Sequence, residues 1–432
     1  MSSILTNPGA EAALATLRTI NAGLAETRNQ ISTGKRVASA EDNAAVWAIS
    51  KTMEADVRGF QRVSDSLRLG HATIAVAREG AETIAELLTE VKGKIVAAQE
   101  ENVDRAKIQG DIDALRDQVA SVVGTAQFNG QYMLTNTEQT AGSGAINILA
   151  SIDRKGDTAT PSDITVAKRD LGTGAASIGT GLAALAAGAN DVAGFGDAAA
   201  AALTGAASAP SGTTTFGTAA SESVAAGTGF SIEISATAGN GPANTTGRND
   251  IAYVARDGDT MAEVTAGLAR AFNSYVKADL GADNVGTIHA TASGNQLSFT
   301  GIDNVGDNFS VTVQQYAADA STTIGGGLEA LAGIDVTSQA GADSALDEIE
   351  GLIQTAIDAS AAFGSNQMRL DTQRDFISGL SDALKSGIGS LVDADMEEAS
   401  ARLQALQVQQ QLAVQAMGIA NRAPQVLLGL FR

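Results

Sequence analysis

The chain has 432 residues, with 49 acidic against 28 basic side chains and a formal charge of −21 at pH 7. A field of that sign argues against nucleic acid and anionic membrane as partners, since both are held through Lys and Arg. The absence of Cys rules out disulfides, thiol nucleophiles and Cys-ligated metals, and a complement of two His, His71 and His289, rules out a multi-His metal cage.

The first predicted element is a terminal helix. Ala10, Ala13, Leu17, Ile20, Leu24, Thr27 and Ile31 follow alternating steps of three and four, one stripe of a helix that stops at Gly34. A second helix restarts near Asn43 and runs to Gln99, through Met53, Val57, Phe60, Leu67, Ile74, Ala81, Ile84, Leu88, Val91 and Ile95. At 1.5 Å per residue it would be roughly 85 Å long, a rod rather than an element of a compact domain. A third follows at Ile108, Ile112, Leu115, Val119, Val122 and Ala126. Pro is absent from 9 to 160, which permits such lengths.

The middle has a different character. Of the 47 Gly, 29 fall between 141 and 340, and residues 171–340 hold 15 acidic but only four basic side chains. Ile146/Ile148 and Ile164/Val166 alternate as short strands do. Residues 172–229 are rich in Gly, Ala, Ser and Thr with little periodicity. From Phe230 a ββαβββ module is expected. Its strands are Phe230–Ile234, Ile251–Ala255, Val285–Ala290, Gln296–Thr300 and Phe309–Val313, and its helix opens on a Thr260/Glu263 capping box. Asp257-Gly258-Asp259 and Asp303 to Asp307 lack a calcium-loop spacing and read as hydrated turns. His71 reads as a packed or half-exposed helix residue, and His289 has no Ser and carboxylate at any motif spacing. No Gly-rich nucleotide loop, H-E-x-x-H or other catalytic pattern is present, so no enzyme, cofactor or metal is expected.

The C-terminal block mirrors the first. Leu346, Ile349, Ile353, Ala356, Phe363, Leu370, Ile377, Leu380, Leu384 and Leu391 form one long stripe. Met396, Ala399, Leu403, Leu406, Gln410, Ala413, Met417 and Ala420 form another, which Pro424 is expected to end. Long helices need partner stripes, and the simplest solution pairs the N-terminal helices with the C-terminal ones. The fold class is therefore α+β: a long antiparallel α-helical coiled coil or bundle from both chain ends, with an inserted, mainly-β outer domain. The expected divisions are 1–42 (terminal helix), 43–140 (first half of the rod), 141–340 (insertion), 341–392 (second half of the rod) and 393–432 (terminal helix). The terminal stripes lack an enclosing domain, and Thr27 and Gln410 sit at core-type positions where polar residues set register. Those stripes are candidate polymerisation surfaces: Leu17, Ile20, Leu24 and Ile31 at one end, and Met396, Leu403, Leu406, Met417 and Leu430 at the other. The start of the chain has no basic, apolar leader and no run approaches a membrane span, so no cleaved signal and no membrane insertion are expected.

These residues also carry a resemblance. Ile31-Ser32-Thr33-Gly34-Lys35-Arg36-Val37, followed by Ser39-Ala40-Glu41-Asp42-Asn43-Ala44-Ala45, resembles the N-terminal motif of flagellins. Gly364 to Leu370 with Asn366 and Arg369, Asp393 to Ala399, and Ala420-Asn421-Arg422-Ala423-Pro424-Gln425 with Leu427 to Leu430 resemble the family's C-terminal elements. Residues 230–316 are similar to an insertion module of flagellins and hook-associated proteins. The resemblance covers roughly 1–140 and 341–432. It implies an extracellular filament subunit that forms a homopolymer for swimming motility. It also implies export through the flagellar type III apparatus with a chaperone, assembly under a cap beside hook-associated proteins, and terminal helices that order on assembly as concentric coiled coils. A basic residue near the equivalent of Glu90 contributes to innate immune receptor recognition in many flagellins; Glu90 is acidic, which implies weak activation. The alternative within the same resemblance is a hook–filament junction protein. An insertion carrying a metallopeptidase, or one acting as an adhesin, are the readings from other classes.

Overall fold

The structure, a computed structural model, describes residues 7–155, 158–185, 199–205, 209–238, 241–280, 287–305 and 307–429. Its helices are α1 (Pro8–Thr33), α2 (Ala44–Ala98), α3 (Arg105–Thr125), α4 (Met261–Leu280), α5 (Gln339–Val392) and α6 (Met396–Gly429). The heptad stripes are thus helices within a residue or two of their expected bounds at α1 and α2, and α3 begins three residues before Ile108. The chain divides into two compact units. One comprises residues up to Asp65, Ser151–Thr160 and residues from Arg374 on; the other comprises Ser66–Ala150 and Pro161–Gln373.

In the second unit the helical stripes are core. Leu67, Ile74, Ile84, Leu88 and Ile95 of α2, Ile112 and Val119 of α3, and Ile349, Phe363 and Leu370 of α5 are buried. Polar pairs flank them: Lys94 to Asp111 at 2.6 Å, Lys92 to Glu350, and Ser360 Oγ donating to Glu82 at 3.3 Å. After α3 come the short pair β1 (Gln127–Phe128) and β2 (Gln131–Tyr132), then a two-stranded ribbon, β3 (Ala145–Lys155) and β4 (Thr158–Ala167). Ile148, Ile164 and Val166 face inward in it, so the brief alternation marked strands longer than expected.

The insertion is a separate hydrophobic core. β7 (Gly229–Ala238), β8 (Ala252–Val254), α4, β9 (His289–Ser293), β10 (Gln296–Thr300) and β11 (Asn308–Tyr316) reproduce the ββαβββ order. The third strand lies later than the expected Val285–Ala290, of which 285 and 286 fall outside the described residues. Two further strands come from the stretch that showed little periodicity: β5 (Ala199–Thr204) and β6 (Ser211–Thr215). They complete an antiparallel four-stranded sheet, β5-β11-β7-β8, and an antiparallel three-stranded sheet, β6-β10-β9. Phe272 and Phe299 meet edge-on at 5.1 Å, and Phe216 and Phe230 at 6.1 Å, all fully buried. Glu263 Oε2 accepts from the Thr260 backbone at 2.6 Å and from its hydroxyl at 2.9 Å, the expected start of α4. From the same helix Asn273 covers the edge of β9, accepting from Ala290 N–H at 2.7 Å and donating to its carbonyl at 3.0 Å.

Asp257-Gly258-Asp259 is a structural joint rather than a hydrated turn. Asp259 accepts from the Tyr253 hydroxyl at 2.7 Å and from Arg256 N–H at 2.8 Å, and burial pushes its carboxyl up from the ordinary range. The Asp257 carboxylate accepts from Gly144 N–H, and its carbonyl from Asn136. Arg256 donates to the Gly325 carbonyl at 2.7 Å and lies 3.7 Å from the buried Asp170, so the strands entering and leaving the insertion are tied at one point. Asp307 is likewise buried, accepting from Asn304 at 2.9 Å.

Gly267 lies in α4 against Tyr253, where a methyl would overlap the phenol ring. Gly to Ala in an open helix interior stabilises by about 1 kcal/mol. Here the clash dominates because Tyr253 is buried and held by Asp259. Gly267→Ala is expected to lower the melting temperature of the insertion in calorimetry of the full chain; an unchanged or raised value would show that the ring yields.

Candidate assembly site

α1 and α6 lie antiparallel in the first unit, and their contact is set residue by residue. Asn7 caps α1: its Oδ1 accepts from Ala10 N–H at 3.2 Å, and Pro8 occupies the first helical position. Asn7 Nδ2 also reaches the Ala420 carbonyl, at 2.9 Å. Further along, Gln410 Nε2 donates to Asn21 Oδ1 at 2.6 Å, so the polar residue at a core-type position pairs across the helices. Gly23 lies against the Leu406 methyls, which a Cβ there would touch at 3.6 Å, an ordinary contact distance. Thr27 is 1% exposed and satisfies its hydroxyl on the Gly23 carbonyl at 2.8 Å.

The expected stripe residues fall on this contact to different degrees. Ile20 and Leu24 are buried; Leu17, Ile31, Leu403, Leu406 and Met417 are half-buried; Met396, in the first turn of α6, is 43% exposed. Leu430 lies outside the described residues. A second apolar line was not recognised in the sequence: Val408, Leu412 and Ile419 are 55%, 58% and 73% exposed. At 100° per residue these three occupy the face of α6 opposite Ala399, Leu406, Ala413 and Met417. Their spacing of four and seven was legible as a helical stripe, but the alternating Gln and Ala around them obscured it. α6 is therefore apolar on two sides, and α1 covers one of them.

The joints of both terminal helices are stitched together by backbone. Gly34 ends α1 in the left-handed region, φ 69°, where a side chain would be strained. Lys35 and Asp393 form an antiparallel bridge, Ala394 N–H donates to the Gly34 carbonyl at 3.0 Å, and Arg36 N–H donates to the Val392 carbonyl at 2.7 Å. The Arg36 guanidinium adds a bond to the Leu391 carbonyl at 2.7 Å, satisfying the frayed end of α5. Val37 and Val392 are buried beneath. Asn43 caps α2 through Val46 N–H, and Asp395 caps α6 through Glu397 and Glu398 N–H. Asp42 Oδ2 gathers the N–H groups of Ser39 and Ala38 and the Ser39 hydroxyl, which holds its carboxyl below the usual carboxylate range.

In the second unit Glu90 is an exposed residue of α2. Its neighbours there include Lys94, whose ammonium is raised above its ordinary range chiefly by the bond to Asp111. His71 is half-exposed, 3.5 Å from Asp371 and 3.2 Å from the Gln367 amide, a helix-surface contact. His289 is exposed on β9, its Nδ1 2.6 Å from the Thr287 carbonyl. Among the described residues no helix is long and apolar enough to cross a membrane.

Two family models match the chain: the bacterial flagellin N-terminal helical region over residues 4–139 and the bacterial flagellin C-terminal helical region over residues 346–431. The chain is 35% identical to flagellin B of Rhizobium meliloti over 437 residues, with both chains fully covered. It is 26% identical to flagellin FljM of Caulobacter vibrioides, covering 100% of this chain and 99% of that one. Among solved structures it is similar to FliC from Burkholderia pseudomallei, at 13% identity and a TM-score of 0.29 over 69% of this chain and 99% of that chain.

The Asp42 cradle gives the α1–α2 joint a defined pH response. A carboxyl lowered in the folded state stabilises above its unfolded value, 3.8, and that contribution is lost as the pH falls through the folded value. Protection of the Ala38 and Ser39 amides is therefore expected to hold from neutral pH to about 4 and to collapse below. Amide exchange measured against pH tests this, and an Asp42→Asn chain with the same acid profile would refute it.

Proposed function

The chain belongs to the bacterial flagellin family, structural subunits of the flagellar filament outside the cell, and on that premise we propose how its own residues build the polymer. The protein is a structural rather than a catalytic one. In our reading the filament serves as a helical propeller for swimming, and its subunits leave the cell through the flagellar type III apparatus with a chaperone and assemble under a cap beside hook-associated proteins.

One observation carries the assembly reading: α6 bears apolar residues on two opposite faces, and within the chain one helix, α1, covers one of them. In this proposal Leu17, Ile20, Leu24, Ile31, Leu403, Leu406 and Met417 hold the α1–α6 pair in register. Met396 extends the line at the start of α6, and Val408, Leu412 and Ile419 meet neighbouring copies; Leu430, outside the described residues, is assigned to the same surface from its sequence position alone. Burial of such side chains is worth about 1.5–3 kcal/mol each, repeated in every subunit, so ordering of the terminal helices and polymerisation favour one another. The acid-rich insertion, divided from the rod near 141 and 340, faces water.

Leu406→Asp and Leu17→Asp place an unpaired charge in the α1–α6 contact, and Leu412→Asp places one on the opposite face. A buried unpaired charge costs several kcal/mol. All three are expected to abolish filaments in electron microscopy of cell-surface material. Leu412→Asp alone should leave the helicity of the monomer unchanged, since Leu412 is 58% exposed there. Normal filaments from Leu412→Asp would remove the second face from the interface, and normal filaments from Leu406→Asp would sink the paired-helix reading.

Exposed Glu90 motivates the reading of the innate receptor as a weak partner. Purified monomer is expected to signal feebly in a receptor-reporter assay, and strong signalling would overturn it.

A further inference from the structure

Pro424 was expected to end the last helix, yet α6 continues through it to Gly429. Proline has no N–H, so the carbonyl four residues earlier, Ala420, lacks the i→i−4 bond of a regular helix, and an interior carbonyl without that donor is a defect that ordinarily breaks or bends the helix. The missing donor comes from the other end of the chain. Asn7 Nδ2 donates to the Ala420 carbonyl at 2.9 Å, across 413 residues of sequence. The same side chain uses its Oδ1 to cap α1 on Ala10 N–H at 3.2 Å. Two residues on, Gly9 presents no side chain to Ala420, whose methyl would meet a Cβ there at 3.9 Å, so the backbones approach closely enough for a side chain as short as Asn to span the gap.

We propose that Asn7 is a conditional splice: α6 runs through Pro424 only while α1 is docked against it in this register. One amide then starts one helix and repairs the other. With α1 withdrawn, the Ala420 carbonyl loses its donor and Pro424 reverts to the helix stop that local rules assign to it. The last turns of the chain are thereby made to fold last and only on the correct partner. This requires pairing of α1 with α6 inside one chain and is independent of whether Val408, Leu412 and Ile419 contact other copies, so the two readings fail separately.

A double-mutant cycle read by amide hydrogen exchange on the full-length chain, in both monomeric and polymerised samples, tests the splice. Asn7→Asp keeps an acceptor at the cap, where Asp serves as well as Asn, but cannot donate to a carbonyl. Asn7→Ser also caps, and its hydroxyl is too short to span to Ala420. In the sample that protects residues 421–429 better, both variants are expected to speed their exchange roughly three- to tenfold, the size of one net hydrogen bond. With Pro424→Ala the N–H of residue 424 serves Ala420, so the Asn7 substitutions should no longer change exchange there. Equal effects of the Asn7 substitutions in the two backgrounds would overturn the splice. So would effects confined to α1, or free exchange of 421–429 in both samples of the unsubstituted chain.

Discussion

A helix that is apolar on more than one side leaves apolar surface in water beside a single partner, and α6 is such a helix. Ala399, Leu403, Leu406, Ala413 and Met417 turn toward α1 or flank it, while Val408, Leu412 and Ile419 stay in water. α1 has little to add on its own outer side, where Leu14 is 39% exposed among Ala and polar residues. Burying the first stripe orders the pair, and the second remains a standing driving force for association of about 1.5–3 kcal/mol per side chain. Gly23 lies against Leu406 and Gly9 beside Ala420, and the contact between the two helices is made without aromatic side chains.

The sequence motif between α1 and α2 has its explanation in backbone chemistry rather than in any reactive group. Gly34 is required by its positive φ; the backbones of Lys35 and Arg36 pair with residues 392 and 393; Arg36 closes the end of α5; Asp42 satisfies the turn that joins α1 to α2; Asn43 starts α2. On the opposite side Asp395 starts α6 two residues after the bridge. These bonds answer N–H and carbonyl groups orphaned where two long helices are interrupted, so the terminal helices leave from a well-tied joint. Polar and closely spaced as these residues are, their work is capping and pairing of backbone.

What could be read from the sequence followed from how locally each element is determined. α2 was legible to within a residue because its stripe, from Val57 to Ile95, repeats over many turns and no Pro interrupts it. The capping box at Thr260 and Glu263 was legible because both partners lie within one turn. β5 and β6 were not, since Ala199–Thr204 and Ser211–Thr215 have almost no hydrophobic alternation; they are strands because β11 and β10 offer them ladders from about 100 and 85 residues away. Asp257 and Asp259 read as solvated for the same reason, their partners Asn136, Gly144 and Tyr253 being fixed only by the tertiary fold. The misjudged end of α6 is the extreme case, where a local rule about proline is overruled by a side chain 413 residues away.

The two kinds of core in the chain divide its labour. In the insertion, Phe216, Phe230, Phe272, Phe299 and Phe309 fill a core that is complete without any second molecule, its edge at β9 is covered by Asn273, and its entry and exit are pinned by Arg256 on Asp170 and Gly325. It can therefore carry the bulk of the acidic excess, 15 acidic against four basic side chains over 171–340, and change its surface without touching assembly. The terminal helices hold almost no aromatic residues and leave part of their apolar surface unused. The acidic excess over 171–340 makes these parts of different copies repel, while the apolar surface left in water on Val408, Leu412 and Ile419 lies on a helix that pairs with α1. On the proposed assembly such a chain would polymerise through its ends, because the surface that attracts is complete only once α1 and α6 have found their register.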